Sequence, residues 1–198
     1  MVKKSKTKIV ILGAGFAGVK AAQVLSKSLS PSRFLVTVVD KRSHHIFNAD
    51  LYEVATSYNQ KITQECLTKV RETVATPLSE IFDKEKTKFI KDEVVSIDPQ
   101  AKVITLQKQQ LPFDYLVVAL GSVANYYRIP GLKQYSYPLK DDLDALKINC
   151  DLDHYFQKYY QKTPKDIYVN IGGGGATGVE TAAELVGYLK KLSKKYKY

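Results

Sequence analysis

Residues 8–40 read KIVILGAGFAGVKAAQVLSKSLSPSRFLVTVVD, and the order of pattern in this stretch decides the fold. Lys8–Leu12 is a short apolar run with the character of a strand. Phe16–Ser28 carries Ala17, Ala21, Val24 and Leu25 at helical spacing, and Phe34–Val39 is a β-branched strand ending at Asp40. Ser30-Pro31-Ser32 stops the helix between them. The result is a βαβ unit, and the expected fold class is α/β and Rossmann-like. The string GAGFAG puts Gly13, Gly15 and Gly18 between strand and helix, and Asp40 follows Gly18 by twenty-two residues at the end of the next strand. In that context the glycines form a dinucleotide fingerprint. The first allows the tight turn, the second lets a pyrophosphate approach the backbone, and the third lets helix and strand pack closely. The helix N-terminus offers N–H groups and a positive dipole end to the phosphates. Asp40 is placed to accept hydrogen bonds from the adenosine ribose hydroxyls.

The same grammar recurs far downstream. A second nucleotide unit begins at Asp166, with a strand at Ile167–Ile171 and a glycine turn GGGATG carrying Gly173, Gly175 and Gly178. A helix from Ala176 to about Lys195 follows, with Val179, Ala182, Ala183, Val186 and Leu189 on one face. The acid that would complete this fingerprint falls about twenty residues later, close to or beyond Tyr198, so the choice between NADH and NADPH stays open. Two fingerprints imply two dinucleotides, a flavin cofactor and a diffusing nicotinamide. The protein's task would be to hold the two rings against each other and tune them. One strand and one helix leave a sheet edge and a helix face uncovered, so Tyr188, Leu189 and Leu192 are expected to be exposed.

Between the fingerprints, Ile62–Phe82 reads as helical except where Pro77 should interrupt it. Lys88–Lys91, Glu93–Ile97 and Val103–Leu106 read as a small β meander around the turn Asp98-Pro99-Gln100. Asp114–Leu120 is a continuous apolar run, the pattern of a central parallel strand buried on both faces, and Gly121 ends it. A turn at Pro130-Gly131 and a polar helix over Asp141–Gln161 connect the halves. The expected division is a first dinucleotide-binding domain over 1–130, a connecting segment over 131–165, and an incomplete second domain over 166–198.

Composition narrows the function classes. A chain of 198 residues, 44% hydrophobic and 25% charged, can bury a globular core. Its apolar runs, Ile9–Leu12 and Tyr115–Leu120, are far shorter than a membrane span. Lys3, Lys4, Lys6 and Lys8 ahead of Ile9–Leu12 have the look of a leader, but the glycines and Lys20 break the apolar region and a nucleotide-binding start explains them better. A cytoplasmic place is expected. Cys66 and Cys150 make no Cys-x-x-Cys pair, which argues against a dithiol centre or disulfide framework. His44, His45 and His154 lack metal-ligand spacing, so no metal is expected. The net charge of +10 suits an acidic partner. Much of it is Lys190, Lys191, Lys194, Lys195 and Lys197, read as a solvated helix end, and no finger or RNA-recognition motif points to nucleic acid.

Taken in order, six strings resemble one known family. They are KIVILGAGFAGVKAA, VTVVDKRSHHIFNADLYEVATS, DEVVSIDPQAKVITL, FDYLVVALGS, RIPGL and GGGATGVETAAEL. The chain resembles the two-dinucleotide flavoprotein reductases and, within them, the type II NADH dehydrogenases (NADH:quinone oxidoreductases). LYEVAT and TGVE are the most specific parts. The resemblance implies FAD and NAD(P)H as cofactors, with FAD pyrophosphate contacts from Gly13, Ala14, Gly15, Phe16 and Ala17. It further implies adenosine contacts from Asp40 and Lys41, an adenine backbone contact at Val94, and a strand end near the flavin at Ala119 and Gly121. Glu180 matches an acid near the nicotinamide and quinone side of the flavin, and a plain first-turn helix acid is the alternative. The family's later half carries a further flavin-contacting motif, the rest of the nicotinamide domain, most of the quinone pocket and a membrane anchor. The resemblance therefore admits a peripheral place on the inner face of the cell membrane for the full-length protein. Three readings follow: an enzyme passing hydride from NAD(P)H through FAD to a quinone, a non-catalytic or split half needing a second chain, and a sister reductase with another small acceptor.

Overall fold

The computed structural model describes residues 5–61, 63–159 and 167–197. In chain order the elements are β1 (Thr7–Leu12), α1 (Phe16–Ser28), β2 (Phe34–Asp40), β3 (His44–Ile46), α2 (Leu51–Ala55), α3 (Gln64–Glu72), β4 (Ala75–Pro77), α4 (Leu78–Ile81), β5 (Thr87–Lys91), β6 (Val94–Asp98), β7 (Val103–Leu106), β8 (Gln110–Pro112), β9 (Tyr115–Val118), α5 (Leu132–Tyr135), α6 (Asp142–Tyr159) and α7 (Ala176–Tyr196). The chain divides into two compact units, Met1–His45 with Thr76–Ser122, and Ile46–Ala75 with Val123–Tyr198.

The first unit is built on a four-stranded sheet in the order β5-β2-β1-β9. Its three strand pairings are all parallel, with Ile9 opposite Val36 and Tyr115, and Val36 opposite Thr87. β1 and β2 lie inside the sheet and are covered on both faces, which is why they read as near-continuous apolar runs. Alternate side chains serve opposite faces. Ile11, Val36 and Val38 pack against Ala22 of α1 and against Leu78 and Phe82 at the two ends of α4. Val10, Leu12 and Val39 pack against Ile104 and Leu106 of β7, in the antiparallel β6-β7-β8 layer, and against Phe113 just after β8.

Two strand expectations are corrected here. The segment expected to open the meander is β5, and it lies parallel beside β2 instead. Its Ile90 joins the core on one face and Phe89 on the other, so it has apolar side chains for both sides of a covered sheet. The third meander strand is β8, which ends on Pro112, a residue that edge strands tolerate because it donates no ladder bond. The run expected to be a central strand is β9, an edge strand paired with β1 alone. Tyr115 and Val118 are accordingly 64% and 60% exposed. An unbroken apolar run cannot tell a central strand from an edge strand whose second neighbour is not in the sheet.

In the second unit, α3 begins where the Thr63 hydroxyl accepts from the Cys66 N–H, a side-chain cap. The stretch expected to be helical from Ile62 to Phe82 is broken into α3, β4 and α4, with Ile62 itself outside the described residues. Leu51, Val54 and Ala55 of α2 pack with Ala145 of α6, while Phe156 of α6 packs with Leu185, Tyr188 and Leu192 of α7. Arg71 pairs with the almost fully buried carboxylate of Asp142. The expectation that Tyr188, Leu189 and Leu192 are exposed is overturned. Tyr188 and Leu192 are 3% and 1% exposed, and Leu189 is half-buried. α7 turns the 185–188–192 stripe inward to α6, and Val179, Ala183 and Val186 of the face read at helical spacing lie exposed. The lysine-rich helix end is correspondingly not all solvated. Lys195 Nζ donates to Asp153 Oδ1 at 2.7 Å, with 16% and 12% side-chain exposure, and the Tyr196 hydroxyl donates to Asp153 Oδ2 at 2.9 Å.

Asn149 of α6 is 1% exposed, and its Nδ2 donates to the carbonyls of Ala55 at 3.2 Å and Ser57 at 2.8 Å. Both carbonyls lie at the end of α2, where the helix ladder has run out. Asn149→Ala is expected to destabilise the protein by about 2 kcal/mol, since it strands two acceptors in a buried place. Urea unfolding checks this, and an unchanged midpoint would show that water satisfies both carbonyls.

The strand expected at Ile167–Ile171 does not form. Asp166 lies outside the described residues, and residues 167–171 are irregular, with Tyr168, Val169 and Ile171 exposed. Among the described residues no strand pairs with this segment, and without a neighbour there is no ladder.

Candidate functional site

At the end of β1 the chain turns at Gly13 with φ +97°, a left-handed conformation that favours glycine. The Gly13 N–H donates to the Val39 carbonyl at 2.7 Å, and the Ala119 N–H donates to the Leu12 carbonyl at 2.8 Å. A Cβ on Gly13 would collide with the Ala119 carbonyl, and a Cβ on Gly18 would collide with the Gly13 carbonyl. Gly13 and Gly18 are therefore glycines for packing. Gly15 is different. It is the N-cap of α1 with φ −74° and ψ −169°, a backbone any residue adopts, and a Cβ there would meet nothing within 4 Å. Gly15 offers no side-chain cap to α1, and the first turn of the helix carries no acid. A helix start with no capping side chain at Gly15, a glycine that its conformation does not need and that faces open ground, fits an anionic ligand drawn close to the backbone.

Asp40, expected to bind ribose, is engaged with the loop. Its Oδ2 accepts from the Ala14 N–H at 2.7 Å and its Oδ1 from the Arg42 N–H at 2.8 Å. Each carboxylate oxygen keeps further acceptor capacity, so bracing the loop and receiving a hydroxyl are compatible. Lys41 lies 3.8 Å from Glu93 Oε1 in an exposed pair of little energetic weight. Val94 stands on β6 opposite Leu106, half-buried. Ala119 touches the Gly13 turn, and Gly121 has φ +75° with open ground around it. Sequence reasoning missed His45. Its Nδ1 lies 2.9 Å from the Ala14 carbonyl, and its ring meets Phe16 edge-on at 5.0 Å. No spacing rule marks it, because the contact joins residues thirty-one apart in the chain.

The second loop repeats the backbone of the first. Gly173 has φ +126°, a Cβ on Gly178 would collide with the Gly173 carbonyl, and Gly175 caps α7 at φ −74° and ψ 175° with open ground around it. The Val179 N–H donates to the Gly175 carbonyl at 3.1 Å, as the Val19 N–H does to Gly15 at 2.9 Å. Glu180 is not in the first turn of α7, which holds no acid; it is the fifth residue of the helix and exposed. Tyr52 of α2 lies in its field. Its phenol is pushed above the ordinary value by partial desolvation first, then by the carboxylates of Glu53 and Glu180. Cys66 and Cys150 are both free, and burial raises the Cys150 thiol, which keeps it in its unreactive form. Among the described residues no group of three or more His, Cys, Asp or Glu could hold a metal, and no helix is long and apolar enough to cross a membrane.

Known proteins are similar to this chain in sequence and in fold. A type II NADH:quinone oxidoreductase of Staphylococcus saprophyticus is 31% identical over 196 residues, 98% of this chain and 46% of that protein. The chain thus spans about half the length of the curated relatives it matches. The structure of NDH2 from Plasmodium falciparum in complex with NADH superposes with a TM-score of 0.75 at 25% identity, over 98% of this chain and 39% of that one. An NADH:rubredoxin oxidoreductase from Clostridium acetobutylicum gives 0.63 at 25% identity, over 92% and 42%. The resemblance read from the six strings is thereby matched by whole-chain similarity. Residues 7–195, from β1 through the first glycine loop to the last turn of α7, match the family model described as pyridine nucleotide-disulphide oxidoreductase, and the chain belongs to that family.

Proposed function

We propose that this chain is the FAD-holding part of a type II NADH:quinone oxidoreductase and opens its NAD(P)H site. The observation that carries the proposal is Gly15, a glycine that neither backbone conformation nor packing requires, at the N-cap of α1. Gly13, Ala14, Gly15, Phe16 and Ala17 take the FAD pyrophosphate, with Gly18 packing the helix start against the loop, Asp40 and Lys41 take the adenosine, Val94 the adenine through its backbone, and Ala119 and Gly121 the region toward the flavin. Gly173, Gly175 and Gly178 take the pyrophosphate of NAD(P)H. On this reading residues 1–130 form the FAD-binding domain and 166–198 the start of the NAD(P)-binding domain, joined by 131–165. Bound FAD would supply the hydride acceptor between NAD(P)H and the quinone. The net charge of +10 suits a peripheral place on the anionic inner face of the cell membrane.

The test is a titration of FAD against the purified chain, followed by flavin fluorescence. Saturable quenching is expected, and unchanged fluorescence after refolding with excess FAD would remove the assignment. Glu180 is the proposed acid beside the nicotinamide and quinone. In an assembly containing this chain that turns over NADH with a quinone, Glu180→Gln is expected to slow turnover about ten- to ten-thousand-fold while FAD stays bound. Unchanged rates in both half-reactions would leave Glu180 a surface charge.

A second reading, a half that works with another polypeptide, is favoured by the exposed apolar residues Tyr168, Val169, Ile171, Val179 and Val186 around the second loop. Turnover by the chain alone would exclude it.

A further inference from the structure

Ala14 sits between the two glycines of the first loop, 3% exposed, and side chains hold both of its backbone polar groups. Its N–H donates to Asp40 Oδ2 at 2.7 Å, and its carbonyl lies 2.9 Å from His45 Nδ1. A carbonyl oxygen can only accept, so the hydrogen in the second bond belongs to Nδ1, and the neutral ring carries its free lone pair on Nε2. The His45 ring is steadied by the edge-on contact with Phe16, the first residue of α1.

The position of this bond matters. The helix ladder of α1 begins with the Gly15 carbonyl, which accepts from Val19, so the Ala14 carbonyl lies outside it and has no helical donor. It belongs to the Ala14–Gly15 peptide, a rigid plane with the Gly15 N–H on its opposite edge. Fixing the oxygen fixes the direction of that N–H. Asp40 does the same for the preceding peptide through the Ala14 N–H.

We propose that His45 is a positioning residue of the first dinucleotide loop: through Nδ1–H it holds the Ala14–Gly15 peptide plane, so that the Gly15 N–H stays turned away from His45 and ready for the bound pyrophosphate. This rests on the FAD reading above. Asp40 and His45 then act as a pair of braces on successive peptides, and the loop meets its ligand without first having to order.

The test uses the 198-residue chain. Nitrogen-15 NMR of the FAD-free protein should show His45 protonated on Nδ1. His45→Phe keeps a ring beside Phe16 and removes the donor; it should weaken FAD binding about three- to tenfold and shift the Gly15 amide resonance, with the urea midpoint lowered modestly because the Ala14 carbonyl loses its donor. His45→Asn, whose amide nitrogen reaches the place of Nδ1, should bring affinity back to within about twofold of wild type. An Nε2–H tautomer, wild-type affinity in His45→Phe, or no recovery in His45→Asn would each overturn the proposal. If His45→Phe does not fold, the tautomer and the His45→Asn affinity decide it. Failure of the wild-type chain to take up FAD would instead remove the cofactor reading, and the tautomer together with the Gly15 amide shift on His45→Phe would still decide whether the brace exists.

Discussion

Gly15→Val is expected to leave the protein folded and to weaken FAD binding by more than about a hundredfold, roughly 3 kcal/mol. Folding and binding depend on different features of Gly15. Folding is spared because Gly15 has φ −74° and ψ −169°, which a branched residue adopts, and because a Cβ there meets nothing within 4 Å. Binding is lost because the same open ground is where the phosphates must come within hydrogen-bond reach of the loop N–H groups, and an isopropyl group would occupy it. Two measurements on one sample separate the two: a urea unfolding curve and an FAD titration. A valine variant that binds FAD with wild-type affinity would take the pyrophosphate away from this loop. One that fails to fold would make Gly15 a packing glycine like its neighbours.

Gly13→Ala is expected to do the reverse and cost stability first, by about 3–4 kcal/mol. Part of this is the left-handed backbone at φ +97°, which costs an alanine roughly 1–2 kcal/mol. The rest is overpacking, about 1–3 kcal/mol, because the new Cβ meets the Ala119 carbonyl. That carbonyl cannot readily retreat. Its own residue is tied to β1 by the Ala119 N–H bond to Leu12 at 2.8 Å, and Gly13 is tied to β2 through Val39 at 2.7 Å. The urea midpoint should fall sharply with an unchanged slope. A loss below about 1 kcal/mol would show that the turn relaxes, and the distinction between packing glycine and ligand glycine would fail with it.

The first βαβ unit was legible almost to the residue. The expected helix Phe16–Ser28 is α1, and the strands differ from β1 and β2 by one residue each. Its signals are local: glycines at a turn, helical spacing, and Ser30-Pro31-Ser32 as a stop. The two glycine loops were legible for the same reason, since a tight turn before a helix restricts residue type at each position. What the string could not say is which glycine serves which purpose. Gly13, Gly15 and Gly18 are one letter, and only the neighbouring Ala119 carbonyl, the Gly13 carbonyl and the empty ground beside Gly15 tell them apart.

By itself, then, the sequence determined the α/β class, the βαβ start, both glycine turns and the likeness to two-dinucleotide flavoproteins, because those rest on residue type within a few positions of the chain. The tertiary structure decided which partner each surface met. It set β5 beside β2 and β9 at the sheet edge, because strand pairing is chosen among distant segments. It turned Leu185, Tyr188 and Leu192 of α7 inward, because a helix with apolar residues on more than one side buries the side that finds a neighbour, here Phe156 of α6. It also gave Asp40 to the Ala14 N–H and brought His45 to the Ala14 carbonyl, contacts across twenty-six and thirty-one residues that no periodicity announces. Local pattern fixes the conformation of a segment, and only the folded chain fixes which donor lies within 3 Å of which acceptor.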